Sequence, residues 1–270
     1  LWDNELLPDK KLDFIIRHRI TTLFGPPSDF MPLVIHLEKR KEQFPECIKN
    51  IYLGSAPIYG SFLQRLIPRA GQTRITCLYG MTENLMVTYQ DGREKAVFTG
   101  TGDPVGKAFP GVIISIAKDH EIQIDSKQMF ARYWMQIPQT GSHSTGDLGD
   151  FDGNGNLVLI GRKKEMIIRR NFNIYPGLYE PTINKIEGVI EAVMIGIYNQ
   201  TREDEDVILV VEARKEMTAD GILKRLKSGE FSIDREAWPD KVIFMKLPRW
   251  GRQQKVNRKL LQQLLIKKNG

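Results

Sequence analysis

The first ninety or so residues alternate helix-like and strand-like segments, and that alternation restricts the fold more than any other feature of the chain. Apolar residues recur at helical spacing in "LDFIIRHR", "DFMPLVIHLEKRKEQ" and "YGSFLQRLI", whereas "ITTLFG", "IKNIYLG" and "TRITCLYG" are short runs bounded by turn residues. Alternation of this kind predicts an α/β unit, a parallel sheet covered by helices. In such sheets ligands gather beyond the carboxyl ends of the strands, and two of these strands run into "GSAP" and "YGMTE". Those two loops are the first candidate site segments.

From about Asp103 the pattern changes to the short alternating runs "GVIISIA", "EIQID", "FARYW" and "NLVLIG", which predict antiparallel or barrel-like strands. A second boundary falls in the charged "GRKKE". Beyond it, "MIIR", "AVMIGIY", "DVILVVEA" and "VIFMKLP" read as strands, and "LYEPTINKI", "TADGILKRLK" and "VNRKLLQQLLIKK" as helices. That is an α+β module of about a hundred residues, large enough to fold as a domain. The expected organisation is an α/β sheet part over 1–102, an antiparallel β part of the same large domain over 103–163, and a small C-terminal domain over 164–270.

With 41% hydrophobic and 27% charged residues among 270, the composition is that of a globular chain. Cys47 and Cys77 stand in unrelated contexts without metal-ligand spacing, which supports neither a disulfide framework nor a zinc site and points to a reducing, cytoplasmic setting. No apolar run approaches the roughly 18 residues of a membrane span. The start, "LWDNELLPDK", has no signal-peptide core and no initiator Met, so the chain reads as a fragment or a processed piece. The net charge of +6 concentrates in "GRKKEMIIRR" and between Arg249 and Lys268, which suits a polyanion. No ribonucleoprotein, helix-turn-helix or zinc-finger pattern supports nucleic acid, leaving the phosphates of a nucleotide or coenzyme, or an acidic partner protein.

Three stretches imitate familiar sites. "DLGDFDGNGNL" matches the opening of a calcium loop from Asp150, but its twelfth position is Gly161 where a bidentate Glu is needed, so a hairpin turn with Gly153, Asn154 and Gly155 at positive φ is expected instead. "TGTGDPVGKA" has three residues between Gly102 and Gly106 and ends on Ala108, which excludes a Walker A phosphate loop. "GSHSTGD" groups Ser142, His143 and Asp147 but lacks the G-x-S-x-G elbow of a hydrolase.

Five other stretches occur in order: "GSAP" at 54–57, "LYGMTE" at 78–83, "STGDLG" at 144–149, "GRKKEMIIRRNFNIYP" at 161–176 and "LPRWGRQQKVNRKLL" at 247–261. Together they resemble the adenylate-forming superfamily of acyl-CoA synthetases, luciferase-like enzymes and peptide-synthetase adenylation domains. The resemblance implies the C-terminal part of that fold, with the small domain mobile. It also implies an AMP-forming acid–thiol ligase that uses ATP, Mg2+ and coenzyme A or phosphopantetheine to activate a carboxylic acid, most simply a fatty or medium-chain acid.

Position by position, the resemblance implies that the backbone around Ser55, Ala56 and Pro57 and the ring of Tyr79 hold adenine, with Gly80 permitting close approach. It sets Thr82 at the phosphates and Glu83 at the magnesium ion, a hard cation that favours carboxylate oxygen. Asp147 would accept hydrogen bonds from the ribose hydroxyls, Arg162 would contact the same region, and Lys164 would be the hinge. The lysine that reaches the substrate carboxylate and α-phosphate corresponds to Lys255. Around it the usual P-x-x-x-x-G-K is altered, since Gln254 replaces Gly and one extra residue follows Pro248. Asn171 likewise replaces a Gly in the loop lining the thiol path, and Asn is the best non-glycine residue for positive φ.

The family's Ser/Thr/Gly-rich phosphate loop belongs upstream of "GSAP", and the chain starts after that point. The expectation is a parent protein that forms acyl adenylates, with these 270 residues alone turning over poorly. Loading of an acyl carrier protein, a β-lactone synthetase-like use of the adenylate, and a non-catalytic nucleotide- or partner-binding remnant are the other readings.

Overall fold

A computed structural model describes residues 7–138, 140–214, 216–251 and 253–269. The first six residues of "LWDNELLPDK" and Arg252 of the C-terminal motif lie outside the described residues.

Helix α1 (Pro8–Arg17), strand β1 (Thr22–Gly25), helix α2 (Pro27–Arg40), strand β2 (Asn50–Leu53), helix α3 (Gly60–Ala70) and strand β3 (Arg74–Met81) follow the predicted alternation. β1, β2 and β3 pair in parallel, with Leu23, Ile51 and Ile75 in register. The helices seat Leu33, Leu37, Leu63 and Leu66 against Ile51 and Leu53 in one core cluster. Proline opens α1 and α2, where a missing N–H leaves no helical bond unmade.

Parallel pairing ends earlier than expected. Thr82 and Glu83 form a tight connection, and β4 (Asn84–Asp91) runs back antiparallel to β3, so the change comes at Asn84 rather than at Asp103. After the short helix α4 (Gly92–Ala96) come β5 (Asp103–Ala108), β6 (Val112–Ile116), β7 (Glu121–Ser126), β8 (His143–Phe151) and β9 (Leu157–Arg162). All nine strands form one sheet in the order β1-β2-β3-β4-β5-β9-β8-β7-β6. β4 escapes a periodicity reading because its buried positions include Asn84, Thr88 and Gln90. β5 is the "DPVGKA" of the rejected phosphate loop, and the buried Lys95 holds it by pairing with Asp103 and donating to the Pro104 carbonyl at 2.6 Å.

"FARYW" is not a strand. Its backbone is irregular, its Phe130 N–H bonds the Glu83 carbonyl at 2.8 Å, and Trp134 is 91% exposed. The strand beside β7 is built from "HSTGDLGDF" instead, whose glycines hide its pattern. A side chain at Gly149 would meet the Val158 carbonyl of β9 at 2.7 Å, so glycine there permits the pairing.

The β8–β9 turn answers the calcium question. Asp152 Oδ1 accepts from the Asn154 and Asn156 N–H groups, each at 2.8 Å, and Oδ2 accepts from the Asn156 amide at 3.0 Å. Of the three residues expected at positive φ, only Gly155 takes it, at 74°; Gly153 and Asn154 do not, because the Asp152 carboxylate gathers the turn's donors and one left-handed residue suffices. Among the described residues no group of three or more His, Cys, Asp or Glu side chains is arranged to hold a metal.

Past a 3-10 turn (Lys163–Glu165), β10 (Ile167–Arg169) and β11 (Phe172–Ile174) form a hairpin, followed by α5 (Pro176–Ile183), β12 (Val189–Asn199), β13 (Asp204–Ala213), α6 (Ala219–Lys227), β14 (Lys241–Phe244), β15 (Arg249–Trp250), β16 (Lys255–Val256) and α7 (Arg258–Asn269). The β12-β13-β14 sheet has two covered faces. Met194 and Leu209 pack toward Ile183 and Leu226, while Val193 and Val210 pack toward Leu261 and Leu265 of α7. Burial on both faces explains why "VILVV" is continuously apolar rather than alternating.

Among the described residues, no helix is long and apolar enough to cross a membrane.

Gly80 offers a direct test of the β3–β4 geometry, because a Cβ there would lie 2.1 Å from the Leu85 carbonyl oxygen. Gly80→Ala is expected to cost about 1–3 kcal/mol or more, read as a melting temperature lower by roughly 2–12 °C. An unchanged melting temperature would contradict this close approach.

Candidate active site

β8 and β9 pair so that Asp147 stands opposite Arg162. Arg162 Nε pairs with Asp147 Oδ1 at 2.7 Å, and the Tyr79 hydroxyl donates to Oδ2 at 2.8 Å. Tyr79 comes from β3, four strand spacings from β8 in the sheet order. A flat sheet would separate the two strands by about 19 Å, so the bond exists only because the sheet curls. The Asp147 N–H donates to Thr145 Oγ1 at 3.0 Å, and the Thr145 hydroxyl donates to the Ile122 carbonyl at 2.9 Å, which fixes the backbone under the carboxylate.

The Asp147 side chain is 5% exposed and that of Arg162 is 63% exposed, so the pair joins a buried anion to a cation at the surface. Burial pushes the Asp147 carboxyl above the usual carboxylate range, opposed by the Arg162 charge, the Tyr79 hydrogen bond and Lys255. Burial, then the neighbouring Asp147 charge, pushes the Tyr79 phenol well above its ordinary value, keeping it a donor.

Thr82 and Glu83 sit in the β3–β4 turn, Thr82 exposed and Glu83 half-buried. The Tyr133 hydroxyl donates to Glu83 Oε1 and holds this carboxyl below its usual range. Arg162 and His143 act on it in the same direction, so Glu83 and Asp147 share Arg162 as an electrostatic neighbour. Glu83 is a hard oxygen donor, and among the described residues it is not part of any group of three or more His, Cys, Asp or Glu side chains arranged to hold a metal. That fits magnesium, which is typically held by one or two carboxylates together with phosphate oxygens and water.

The other predicted positions are distributed around this centre. Ser55, Ala56 and Pro57 form the loop after β2, with Ser55 at φ 66°. Gly80 follows Tyr79 on β3, and the space beside it is taken by the protein's own Leu85 backbone. Lys164 lies in the 3-10 turn directly after β9, flanked by Lys163, which bonds Asp119 at 2.7 Å and Glu121 at 3.0 Å. Asn171 is at the β10–β11 turn with φ 64°, beside Arg170 at 49°, so this Asn occupies the left-handed conformation that Gly tolerates best. No hydrogen bond or ion pair joins Ser55, Ala56, Pro57, Lys164 or Asn171 to Asp147 among the described residues.

Lys255 lies on the β15–β16 hairpin, where it pairs with Trp250. Arg249 holds the hairpin by bonding Glu191 at 2.6 Å, Glu212 at 3.0 Å and the Gln254 carbonyl at 3.3 Å. Gln254 has φ 53°, again the left-handed region, and the Gln253 carbonyl accepts from Ser28 of α2 at 3.3 Å. Partial burial and then the Arg162 charge lower the Lys255 ammonium, while Asp147 acts the other way. Lys255 thus lies within electrostatic range of both members of the β8–β9 pair.

Sequence reasoning missed Tyr133, Thr145 and the arginines that fix the lysine segment. Tyr133 was concealed inside an apparent strand. The spacing of "STGD" contains Thr145, but nothing in it marks a hydroxyl that serves the backbone two residues on.

A family model for AMP-binding enzymes matches residues 1–134. A 3-[(3aS,4S,7aS)-7a-methyl-1,5-dioxo-octahydro-1H-inden-4-yl]propanoyl:CoA ligase from Mycobacterium tuberculosis is 30% identical over 201 residues, covering 72% of this chain and 39% of that protein. A mitochondrial medium-chain acyl-CoA ligase, ACSF2, from Rattus norvegicus is 26% identical over 263 residues, covering 89% and 40%. The ATP-bound crystal structure of MatB from Rhodopseudomonas palustris is similar at a TM-score of 0.78 and 26% identity, covering 95% of this chain and 53% of that one. The chain therefore spans about two fifths of the length of these curated relatives.

The raised Asp147 value makes the native state bind more protons than the unfolded chain between the ordinary carboxylate range and that value, so this group's contribution to stability falls as pH rises through the window. Arg162→Ala removes the largest opposing charge and raises the value further. The variant should lose more stability relative to the parent at about pH 7 than at about pH 4 in thermal melts, and an equal loss at both would contradict the coupling.

Proposed function

The chain belongs to the adenylate-forming, AMP-binding superfamily, a family of enzymes, and on that premise we propose that the protein it represents activates a carboxylic acid with ATP and passes the acyl group to a thiol. In the first step a carboxylate oxygen attacks the α-phosphorus and pyrophosphate leaves. In the second a thiolate attacks the acyl carbon and AMP leaves. The observation that carries this reading is the convergence of Tyr79, Asp147, Arg162 and Lys255 from four separate strands.

In this reading Asp147, held by Tyr79 and Arg162, keeps lone pairs for the ribose hydroxyls, since each carboxylate oxygen accepts more than one hydrogen bond. The loop Ser55–Pro57 and the ring of Tyr79 flank adenine, and Gly80 keeps the β3–β4 turn close beneath it. Thr82 bonds the phosphates. Glu83, steadied by Tyr133, supplies the protein's oxygen ligand to magnesium, which when bound neutralises phosphate charge. Lys255 carries positive charge to the carboxylate and α-phosphate, where charge develops during adenylation. Lys164 is the pivot of the small domain, and Asn171 lines the thiol path.

Medium- or longer-chain fatty acids are the proposed substrates, with coenzyme A or a carrier protein's phosphopantetheine as acceptor. An acidic carrier protein would complement the net charge of +6. The cysteines Cys47 and Cys77 are both unpaired, which suits a reducing compartment; we place the protein in the cytoplasm, and the mitochondrial location in the rat relative's name is the competing assignment. Against a non-catalytic remnant stands the backbone at Asn171 and Gln254, which keeps a left-handed conformation despite the missing glycines.

Isothermal calorimetry with AMP and with a non-hydrolysable acyl-adenylate analogue tests the site. Binding is expected in the parent chain and is expected to weaken at least about tenfold in Asp147→Ala, the equivalent of about 1.4 kcal/mol. Absence of heat with either ligand would overturn the reading.

A further inference from the structure

Arg258 stands three positions after Lys255, at the start of α7, and its side chain is half-buried. Its Nη2 bonds Glu180 Oε2 of α5 at 2.5 Å, its Nε bonds Glu165 Oε2 at 3.0 Å, and its Nη1 donates to the Met194 carbonyl of β12 at 3.1 Å. Glu180 is committed as well, since its other oxygen accepts the Met194 N–H at 2.8 Å. Two carboxylates around one planar fork leave little freedom, because the guanidinium fixes direction as well as charge.

The position of Glu165 gives this cluster its significance. It is the residue after Lys164 and lies three positions beyond Arg162, which holds Asp147. The contacts therefore form a chain. From Asp147 it crosses to Arg162, follows the backbone to Glu165, crosses to Arg258 and returns along Asn257 and Val256 to Lys255, whose ammonium is lowered by the Arg162 charge and raised by that of Asp147. Asn257 stiffens the last link: its N–H donates to the Pro248 carbonyl at 2.7 Å, and its carbonyl and side-chain oxygen accept the N–H groups of Leu261 at 2.9 Å and Leu260 at 3.0 Å. The short path through Val256 and Asn257 ties the Lys255 backbone to the segment just past Lys164 while Arg258 stays bound.

We propose that Arg258 is a positioning residue, which holds Lys255 in fixed register with the segment just past Lys164 by tying the start of α7 to Glu165, and so presents the lysine toward the Asp147–Arg162 pair. The inference rests on the reading of Asp147 and Lys255 as parts of one nucleotide site. Arg258 touches no substrate in this account, and its effect is exerted wholly through Lys255.

The test measures where Lys255 is, independently of turnover. The purified chain is treated with limiting acetic anhydride, with and without saturating AMP, and acetylation of Lys255 is quantified by mass spectrometry. In the parent, AMP is expected to slow the reaction severalfold. In Arg258→Met that protection is expected to vanish while calorimetric affinity for AMP stays within about threefold, since Asp147 and Arg162 remain. Arg258→Lys, which keeps a charge but not the fork, should lose most of the protection, and Glu165→Gln part of it. If Arg258→Met does not melt cooperatively, these two variants decide the matter. Full protection in variants with parent-like melting overturns the inference alone. Absence of protection in the parent overturns the site reading, and the inference with it.

Discussion

An ionised carboxylate taken out of water costs several kcal/mol unless partners replace its hydration. Asp147 meets that condition with two partners from other strands, Arg162 across the β8–β9 ladder and Tyr79 from the far side of a curled sheet, while Thr145, two residues away, fixes the backbone beneath it. Much else follows from satisfying this one group. The sheet must curl enough to bring β3 to β8, and β9 must end on an arginine. The chain must then leave β9 in a direction that starts the small module beside the site.

The lysine segment solves a related problem with two arginines. Arg249 gathers Glu191, Glu212 and the Gln254 carbonyl, and Arg258 gathers Glu165, Glu180 and the Met194 carbonyl. Burial drives Glu191 and Glu165 toward the protonated form, and the guanidinium beside each opposes that drive. Such clusters contribute little net stability compared with apolar packing, but they specify one arrangement of the segments they join. A two-residue strand such as β16 has too few ladder bonds to hold a lysine in place unaided.

The parallel layer was legible because buried helices and strands write periodic apolar patterns, as in "LDFIIRHR" and "TRITCLYG". The turn at Asp152 and the left-handed Asn171 were legible for a similar reason, since local backbone chemistry is carried by the residues concerned. β4 and β8 were not, because their buried positions are partly polar or glycine and their apolar signal is diluted. "FARYW" was misread in the opposite sense. Its alternation of ring and small or charged residues imitates a strand, yet the rings serve one another and Glu83, with Phe130 and Tyr133 4.6 Å apart. Among the site residues, "STGD" and "GRKK" marked Asp147 and Arg162 through family resemblance. The distance between them in space, and the approach of Lys255, depend on strand pairing and sheet curl that no local motif encodes.

The most direct test of the account is a crystal structure of this chain with AMP bound. The account predicts the ribose hydroxyls within hydrogen-bond distance of the Asp147 carboxylate, with Tyr79 beside the base and Lys255 toward the phosphate. A nucleotide found away from Asp147, for instance in the cavity of about 370 Å3 lined by Thr101, Tyr179 and Asp234, would contradict it.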